Sequence, residues 1–579
     1  MSNPDDAPEQ LLLGHGSATV GRMEDGAGGK GGGDSSLMVE SFLEPGDRKG
    51  SGEGEREGEV GGNRVPGSSN FDASEGKGEG NEGKGAEGGK LSTKDDHPFE
   101  IKEMNQSGKL IATYIHSRGR IDVDIPKGPS TWVMSIVEAF MPVGYPDSVT
   151  DDYTAYQFYD SIQAFASTIA GLLSSRAVLQ GLGVGDSTAS ATGAVLLSVL
   201  QESAGRIATI LFAHRLGSAL EPECKKYRLM ADIFNDAAMI LDCVSPAFPK
   251  MPRVFLLSAS SICKSLCGVA AGSSKASLSA HFAKQGNLAE LNAKDASQET
   301  LISLLGMLVG TFVVSKISSQ TATWIALITL LSVHLGTNYL AVRSVTMRTL
   351  NRQRANLVLS PFLSHLTPDM IRSISHPDTG HLSHPKPSKN SQDPQPTLHI
   401  PTPKDLSPHE RIFETSGALR LHHGPILAYC HIGLSLREIL SSISNPTKSG
   451  SYKPLTSTSP SPTPTILPSL LQTFHSQPYI LWYTPHRSTY LITLKGGADA
   501  RAQLDAWWHA LWCANMVRLG MCEPRGMRPE EMVRWMGETL RDSRGYREGE
   551  GMWGILSGKG WDLDTAALEV RAGNRVVLC

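Results

Sequence analysis

Cysteine is scarce in this sequence, and its spacing provides no metal or redox motif. Only 8 cysteines occur among 579 residues, and no two of them form a Cys-x-x-Cys pair. Cys263 and Cys267 lie four residues apart on one face of a predicted helix, where small apolar packing in a reducing compartment is the ordinary role. His422, His423 and His431 follow no zinc-binding spacing. We therefore expect no metal site.

Other functional motifs are missing as well. Basic residues are scattered and the net charge is -4, so the sequence has no nucleic-acid-binding footprint. It contains no serine nucleophile elbow, no His-Glu-x-x-His motif and no Walker loop. The acidic first ten residues lack a basic start, so we expect no secretory signal peptide. These absences predict a non-enzymatic protein and leave its cofactors unknown.

Composition divides the chain into segments. Residues 1–96 are rich in glycine, and their acidic residues outnumber the basic ones about two to one. Such a segment buries too little apolar surface to fold, so we predict a disordered acidic tail. A helical domain is predicted at 130–357 and a Pro/Ser/His-rich linker at 358–408. An α+β domain is predicted at 409–579, with a low-complexity insert at 441–468.

Long apolar, helix-forming runs dominate the central segment. The runs at 301–315 and 324–342 approach the roughly 20 residues that a membrane span needs. Two Gly-x-x-x-Gly motifs, at 268–272 and 306–310, lie inside apolar helices, where small residues let helices approach closely. Basic residues after the second run fit a cytoplasmic helix end. The sequence thus predicts a mainly α fold, a membrane-associated multi-helix bundle, although the core of a large soluble bundle has the same pattern.

Helix boundaries are predicted from capping signals and helix breakers. Separate helices are expected at about 254–271 and 274–285. A capping box formed by Asp295 and Gln298 is expected to open the next helix. The last helix of this domain is predicted at about 322–350.

The C-terminal segment changes from helical to strand periodicity. Residues 479–483 and 488–494 flank a turn-like Thr-Pro-His-Arg sequence and predict a β-hairpin. Residues 498–519 predict an amphipathic helix that carries three tryptophans. We expect these tryptophans in the core of a small α+β domain, with a partner-binding surface as the alternative.

Charged and amide residues recur within the apolar helices, where each must be paired or functional. Glu202 and Arg206 are i,i+4 neighbours, and so are Arg228 and Asp232. The candidate ligand- or ion-binding residues are Glu202, Arg206, Arg228, Asp232, Asn235, Asp236, Lys294, Asp295, Gln298 and Glu299. The alternative is that these groups pair with one another or face water.

A second set of residues occupies turns and helix contacts. The sequence from Gly181 to Asp186 resembles a phosphate loop, but a helix precedes it, so we predict a tight turn between two helices. Structural roles are assigned to Pro146, Asp147, Ser148, Asp160, Gln163, Gly183, Gly185 and Asp186.

Several of these segments together resemble the root UVB sensitive (RUS) family, over about residues 135–357. The resemblance rests on 142–149 (PVGYPDSV), 178–186 (VLQGLGVGD), 228–236 (RLMADIFND) and 281–299. It implies a mostly helical, membrane-associated protein. Plant members are associated with ultraviolet-B responses, vitamin B6 homeostasis and auxin transport, and act as partners of one another. The resemblance supplies no catalytic residue.

Three functions remain open. The first is a carrier or sensor of a small anionic metabolite, with pyridoxal phosphate implied by the resemblance. In this function, Arg206 and Lys294 bind the anion, and Asp232 and Asp236 bind a proton or a cation. The second is a scaffold whose polar motifs lock helices together and which binds a second copy or another RUS-family protein. The third is a pyridoxal phosphate enzyme with Lys275 or Lys294 as its Schiff-base lysine.

Overall fold

The computed structural model describes residues 99–104, 110–117, 120–124, 139–183, 191–284, 286–375, 399–444, 463–571 and 573–577. These residues lie in one compact unit, Ser92–Cys579, and most of them are helical, which confirms the mainly α prediction. The tail predicted to be disordered lies outside the described residues.

Six long helices form a bundle within this unit. They are α1 Tyr153–Gly181, α2 Ala191–Leu220, α3 Cys224–Val244, α4 Lys250–Phe282, α5 Leu288–Lys316 and α6 Gln320–Ser344. Helix α1 packs against α3, α5 and α6, while α4 packs against α2 and α3. All of the six except α3 are long and apolar enough to cross a membrane, with α2 counted from Val195.

Three helix boundaries differ from those predicted. Helix α4 runs without a break to Phe282, because one glycine inside a packed helix is only a weak breaker. Helix α5 begins after Asn287, so Asp295 and Gln298 lie inside it and form no capping box. Helix α6 ends at Ser344, where tertiary contacts to the next segment replace the helix predicted to continue to 350.

One of the two Gly-x-x-x-Gly motifs brings two helices into close contact. A Cβ atom on Gly306 would lie 2.9 Å from Cβ of Thr168, and one on Gly310 would lie 2.6 Å from Cδ1 of Leu172. Helices α1 and α5 therefore touch where only glycine fits. Gly268 and Gly272 have nothing within 4 Å of a Cβ atom, so the motif at 268–272 makes no such contact.

Two short helices follow the bundle, α7 Arg352–Ser364 and α8 Pro368–Ser375. Helical structure therefore continues into the segment predicted to be a linker. After residues 376–398, which lie outside the described ranges, the chain resumes with α9 Pro403–Leu406.

The last part of the chain combines a sheet with helices. Its strands are β4 Ala418–Leu419, β5 Ala428–Ile432, β6 Tyr479–Thr484, β7 Thr489–Lys495 and β8 Arg575–Val576, and its helices are α10 Leu436–Ser444, α11 Thr463–Thr473, α12 Ala500–Arg518, α13 Pro529–Gly549 and α14 Met552–Gly558. The sheet has the order β4-β5-β7-β6, with β8 beside β7. Strands β6 and β7 pair antiparallel, which confirms the predicted hairpin.

Helix α12 carries the three tryptophans predicted for the core. Trp507, Trp508 and Trp512 are each at most 1% exposed, which confirms that they are buried. Nε1 of Trp507 donates to Oδ1 of Asn356 in α7 at 2.9 Å. The tryptophan core thereby joins α12 to the helix that follows the bundle.

A separate antiparallel meander lies before the bundle. It consists of β1 Phe99–Met104, β2 Leu110–Ser117 and β3 Arg120–Asp124, in the order β1-β2-β3. These strands were not predicted from the sequence.

Candidate functional site

Arg228 of α3 is the centre of a buried polar cluster. Its Nη2 lies 2.6 Å from Oδ1 of Asp160 on α1, and its Nη1 lies 3.4 Å from Oδ1 of Asp232. Its Nε donates to the hydroxyl of Tyr156 at 3.2 Å. A guanidinium with several planar donors suits such a site, where each hydrogen bond offsets the cost of burying its charge.

The carboxylate of Asp232 lies among hydrogen-bond donors from three helices, α1, α3 and α6. Its Oδ2 accepts from Nδ2 of Asn338 on α6 at 2.5 Å and from Nε2 of Gln163 on α1. Nε2 of His334 lies 3.5 Å from the same oxygen, and Nδ1 of His334 lies 2.6 Å from Oδ1 of Asp236. Asn338 is 0% exposed, His334 is 1% exposed and Asp232 is 3% exposed. The cluster therefore fixes α1, α3 and α6 to one another inside the bundle.

A lysine with two carboxylates extends the cluster to helices α4 and α5. Nζ of Lys275 on α4 lies 2.8 Å from Asp295 and 2.7 Å from Glu299, both on α5. Asp295 also accepts from the amide of Gln157 on α1. The two carboxylates stabilise the ammonium form of Lys275. Because an ammonium group is not nucleophilic, this pairing disfavours Lys275 as a Schiff-base lysine.

A cleft of about 290 Å³ opens into this cluster. It is lined by three carboxylates, two cations and one imidazole, from Asp160, Asp232, Glu299, Arg228, Lys275 and His334. Both signs of charge are thus available to a small molecule. The volume is just below the range of about 300–1,000 Å³ for ligand pockets.

The structure separates the predicted site residues into two groups. Arg228, Asp232 and Asp236 belong to the buried cluster, and Asn235 donates to Oγ of Ser167 at 3.1 Å at the wall of the cleft. Asp295 and Glu299 join them through Lys275.

The other predicted site residues lie outside the cleft. Glu202 and Arg206 form an ion pair of 3.5 Å with side chains 46% and 80% exposed, and neither residue lines the cleft. Nζ of Lys294 donates to the carbonyl of Ala139 at 2.8 Å. Gln298 donates to the carbonyl of Phe140 at 2.6 Å. The sequence pattern does not indicate which side of a helix faces the cleft, so it could not exclude these residues.

The segment Pro146–Val149 acts as a structural contact. Pro146 and Asp147 are exposed and Ser148 is buried. The carbonyl of Ser148 accepts from N of Lys284 at 3.2 Å and from Nδ2 of Asn287 at 3.1 Å. The segment thereby attaches the start of α1 to the turn between α4 and α5.

The turn after α1 is only partly described. Gly183 has a φ of 76°, a left-handed conformation that favours glycine. Gly185 and Asp186 lie outside the described residues.

Asp152 links three segments, and it is not among the site residues predicted from the sequence. Its Oδ2 lies 3.0 Å from Nε2 of His281 and accepts from N of Thr346 at 2.6 Å. Burial raises the pKa of Asp152, but these partners outweigh burial and hold it below its usual value. The carboxylate therefore stays ionised and anchors the ends of α1, α4 and α6.

His334 and Asn338 also belong to the buried cluster, although they were not predicted as site residues from the sequence. They are the histidine and the asparagine that interrupt the apolar run of α6, and this interruption was the available signal. Nothing in the sequence indicated that their partners lie 98 and 106 residues away, at Asp236 and Asp232.

A second buried ion cluster joins the bundle to the last part of the chain. Glu410 lies 3.1 Å from Nζ of Lys225 and 3.2 Å from Nη1 of Arg354. The three side chains are at most 7% exposed. Burial lowers the pKa of Lys225, and attraction by Glu410 opposes this effect. Loss of Glu410 would leave two buried cations without their shared carboxylate.

These features define a class of protein, a bundle of long apolar helices around a paired, charged cluster. Residues 126–366 match the sequence family described as the vitamin B6 photo-protection and homoeostasis domain. Residues 126–366 are therefore similar to the RUS family, as the resemblance predicts.

The matching relatives carry names of this family. The chain is 46% identical over 274 residues to "RUS family member 1" of Dictyostelium discoideum, covering 45% of this chain and 52% of the relative. It is 35% identical over 243 residues to "Protein root UVB sensitive 3" of Arabidopsis thaliana, covering 41% and 55%. It is 31% identical over 238 residues to "Protein root UVB sensitive 2, chloroplastic" of the same plant, covering 41% and 54%.

The chain thus spans about half the length of the curated relatives it matches. No solved structure matches it.

Proposed function

We propose that the RUS domain of this chain is a membrane-embedded, non-enzymatic protein that binds a small solute in the charged cleft. One observation carries the proposal: large apolar side chains cover the outside of the bundle, whereas charged ones are paired inside it. Apolar residues on the outer faces are Leu196 (66% exposed), Ile210 (68%), Phe255 (72%), Leu308 (63%) and Ile325 (64%).

This distribution is the reverse of that in a water-soluble bundle. Large exposed apolar patches mark contacts with a membrane or another protein. The five apolar helices contain 25 to 33 residues, more than the roughly 20 that a membrane span needs. Charged residues inside a membrane domain face its interior and pair with one another, as Arg228 and Asp160 do at 2.6 Å.

Alkaline-carbonate extraction of cell membranes tests the membrane part of the proposal. A tagged full chain is expected to remain in the pellet, because carbonate removes peripheral proteins and leaves spanning helices in place. Known integral and peripheral proteins of the same membranes serve as controls. Release into the supernatant would refute membrane integration.

The lining of the cleft favours a solute that carries both charges. Lys275 and Arg228 suit an anionic group such as a phosphate. Asp160, Asp232 and Glu299 suit a protonated nitrogen. Phosphorylated vitamin B6 compounds combine these features, and the family description names vitamin B6 homoeostasis. Lys275 and Arg228 are therefore proposed to bind the anion. Arg206 and Lys294 were the anion-binding residues predicted from the sequence.

The binding test uses pyridoxamine 5′-phosphate, which has no aldehyde and therefore cannot react with surface lysines. Calorimetric titration of the purified full chain in detergent is expected to show saturable binding. Glu299→Gln and Lys275→Gln should each weaken it about tenfold or more, since a hydrogen bond to a charged group contributes roughly 1.5–3 kcal/mol.

Glu202→Gln is the matched control, because it removes an exposed carboxylate outside the cleft. It should bind as the wild type does. Equal weakening by all three variants, or no binding by a folded wild-type protein, would refute the cleft as the solute site.

A scaffold is the second candidate function. It is favoured by the pairing of the buried charges with one another, which leaves Arg228 and Asp232 satisfied without a ligand. In this case the cluster only fixes the helices, and the exposed apolar surface binds a second copy or another RUS-family protein. Crosslinking of the intact protein in membranes, with monomer as the refuting result, tests this function.

A further inference from the structure

The buried cluster of the bundle carries more negative than positive charge. Ion-pair distances connect five carboxylates in it, those of Asp160, Asp232, Asp236, Asp295 and Glu299. Among the described residues, the permanent cations of this cluster are Arg228 and Lys275. Uncompensated charge inside a membrane domain is costly, so the cluster favours the binding of a further positive charge.

His334 is the group of this cluster that can supply that charge. Its Nδ1 lies 2.6 Å from Oδ1 of Asp236, and its Nε2 lies 3.5 Å from Oδ2 of Asp232. A neutral imidazole has one N–H donor and one acceptor nitrogen, so one of the two carboxylates would then face a lone pair. A second proton turns both nitrogens into donors. One exchangeable proton therefore completes the Asp232–His334–Asp236 trio.

The same region is short of hydrogen-bond donors. Asn338, one turn along α6 from His334, is 0% exposed, and its Oδ1 is buried without a partner. Its Nδ2 already donates to Asp232 at 2.5 Å. Asp232 and His334 both line the cleft, so the trio lies beside the place where a solute would bind.

Other charged or titratable groups surround the trio on four helices. They are Arg228 of α3, Tyr156 and Asp160 of α1, Cys267 and Lys275 of α4, and Glu299 of α5. Arginine, lysine and tyrosine side chains ordinarily titrate at about pH 10 or above, a thiol at about 8.5 and an imidazole at about 6.5. The imidazole is therefore the group suited to gain and lose a proton near neutral pH.

We propose that the cleft binds one proton together with its solute, and that His334 holds this proton between Asp232 and Asp236. The inference rests on the solute binding proposed above. An anionic group paired with Arg228 and Lys275 adds negative charge and competes with Asp232 for the guanidinium. A proton taken from water then forms an N–H bond at Nε2 of His334, and the imidazolium pairs with both carboxylates. Solute and proton thus favour each other's binding, as a proton-coupled carrier requires.

Calorimetric titration of the full chain in detergent with pyridoxamine 5′-phosphate counts this proton. Each titration is run in two buffers that differ in ionisation enthalpy, at several pH values between about 6 and 9, because the difference in heat gives the number of protons taken up. The wild type should take up about 0.5–1 more proton per bound solute than His334→Gln at one or more of these pH values. Titration of the solute itself cancels in this comparison.

Two further variants accompany His334→Gln. Asp236→Asn keeps the shape of a side chain that does not line the cleft, and loss of this carboxylate should move proton uptake to lower pH. His214→Gln is the matched control, since His214 is an exposed histidine of α2 that does not line the cleft. It should keep the wild-type proton count.

The outcomes separate this inference from the solute site on which it rests. If the wild type binds the solute with the same proton count as His334→Gln and Asp236→Asn, the inference is overturned and the solute site stands. An equal loss of proton uptake in His214→Gln would also overturn it, because uptake would then not depend on the trio. Absence of binding by a folded wild-type protein would refute the solute site, and the inference with it.

Discussion

Replacing Asp232 by alanine is expected to destabilise the bundle strongly. The change removes the acceptor of Asn338 at 2.5 Å and of Gln163, together with the carboxylate 3.4 Å from Arg228. Among the described residues, Asp160 would remain the carboxylate partner of Arg228. Loss of one member of a buried ion cluster costs about 3–5 kcal/mol, because a buried charge is left without compensation.

Scanning fluorimetry of the purified protein in detergent measures this effect. For a domain of this size, 1 kcal/mol shifts the midpoint by about 2–4 °C, so Asp232→Ala should lower it by on the order of 10 °C. Glu202→Gln, in the exposed pair, should change the free energy of unfolding by at most about 0.5 kcal/mol. A midpoint for Asp232→Ala within about 2 °C of the wild type would refute the assigned role of the cluster.

A double variant separates the charge effect from a packing effect. Asp232→Ala combined with Arg228→Met removes the carboxylate and the cation together. The loss should therefore be clearly smaller than the sum of the two single losses. Additive losses would mean that the two residues stabilise the bundle independently.

Two further predictions concern helix packing and pH. Gly306→Ala should lower the midpoint, since its Cβ would lie 2.9 Å from Thr168, whereas Gly268→Ala, with nothing within 4 Å, should not; equal effects would contradict close α1–α5 packing. Burial lowers the pKa of His509 to about 3, while an unfolded histidine titrates near about 6.5. Between these values only the unfolded chain binds the proton, so stability falls as pH falls. His509→Gln should flatten this part of the midpoint-against-pH curve, and an unchanged slope would contradict a buried neutral His509.

Local patterns predicted the elements whose residues act on near neighbours. The β6–β7 hairpin follows from strand periodicity on both sides of a turn, and the tryptophans of α12 follow the rule that large aromatic groups are buried. Boundaries were less predictable. Asp295 and Gln298 match a capping box in spacing, yet they lie inside α5, because contacts with other helices decide where that helix begins.

The main limit of prediction from the sequence was the orientation of the polar residues. Glu202 with Arg206 and Arg228 with Asp232 have the same i,i+4 spacing, yet the first pair is exposed and the second is buried. Apolar residues occur on every side of helix α2, so its periodicity selects no inner face. Spacing therefore identifies neighbours within a helix without indicating what that helix packs against.

The sequence by itself determined the long apolar helices, the tryptophan core and the RUS-family motifs, because these depend on composition, period and order along the chain. Only the tertiary structure decided which charges meet. His334 and Asp236 are 98 residues apart in the chain and 2.6 Å apart in the bundle. Such a contact depends on the rotation of two helices about their axes, which packing between several helices fixes and which no single segment encodes.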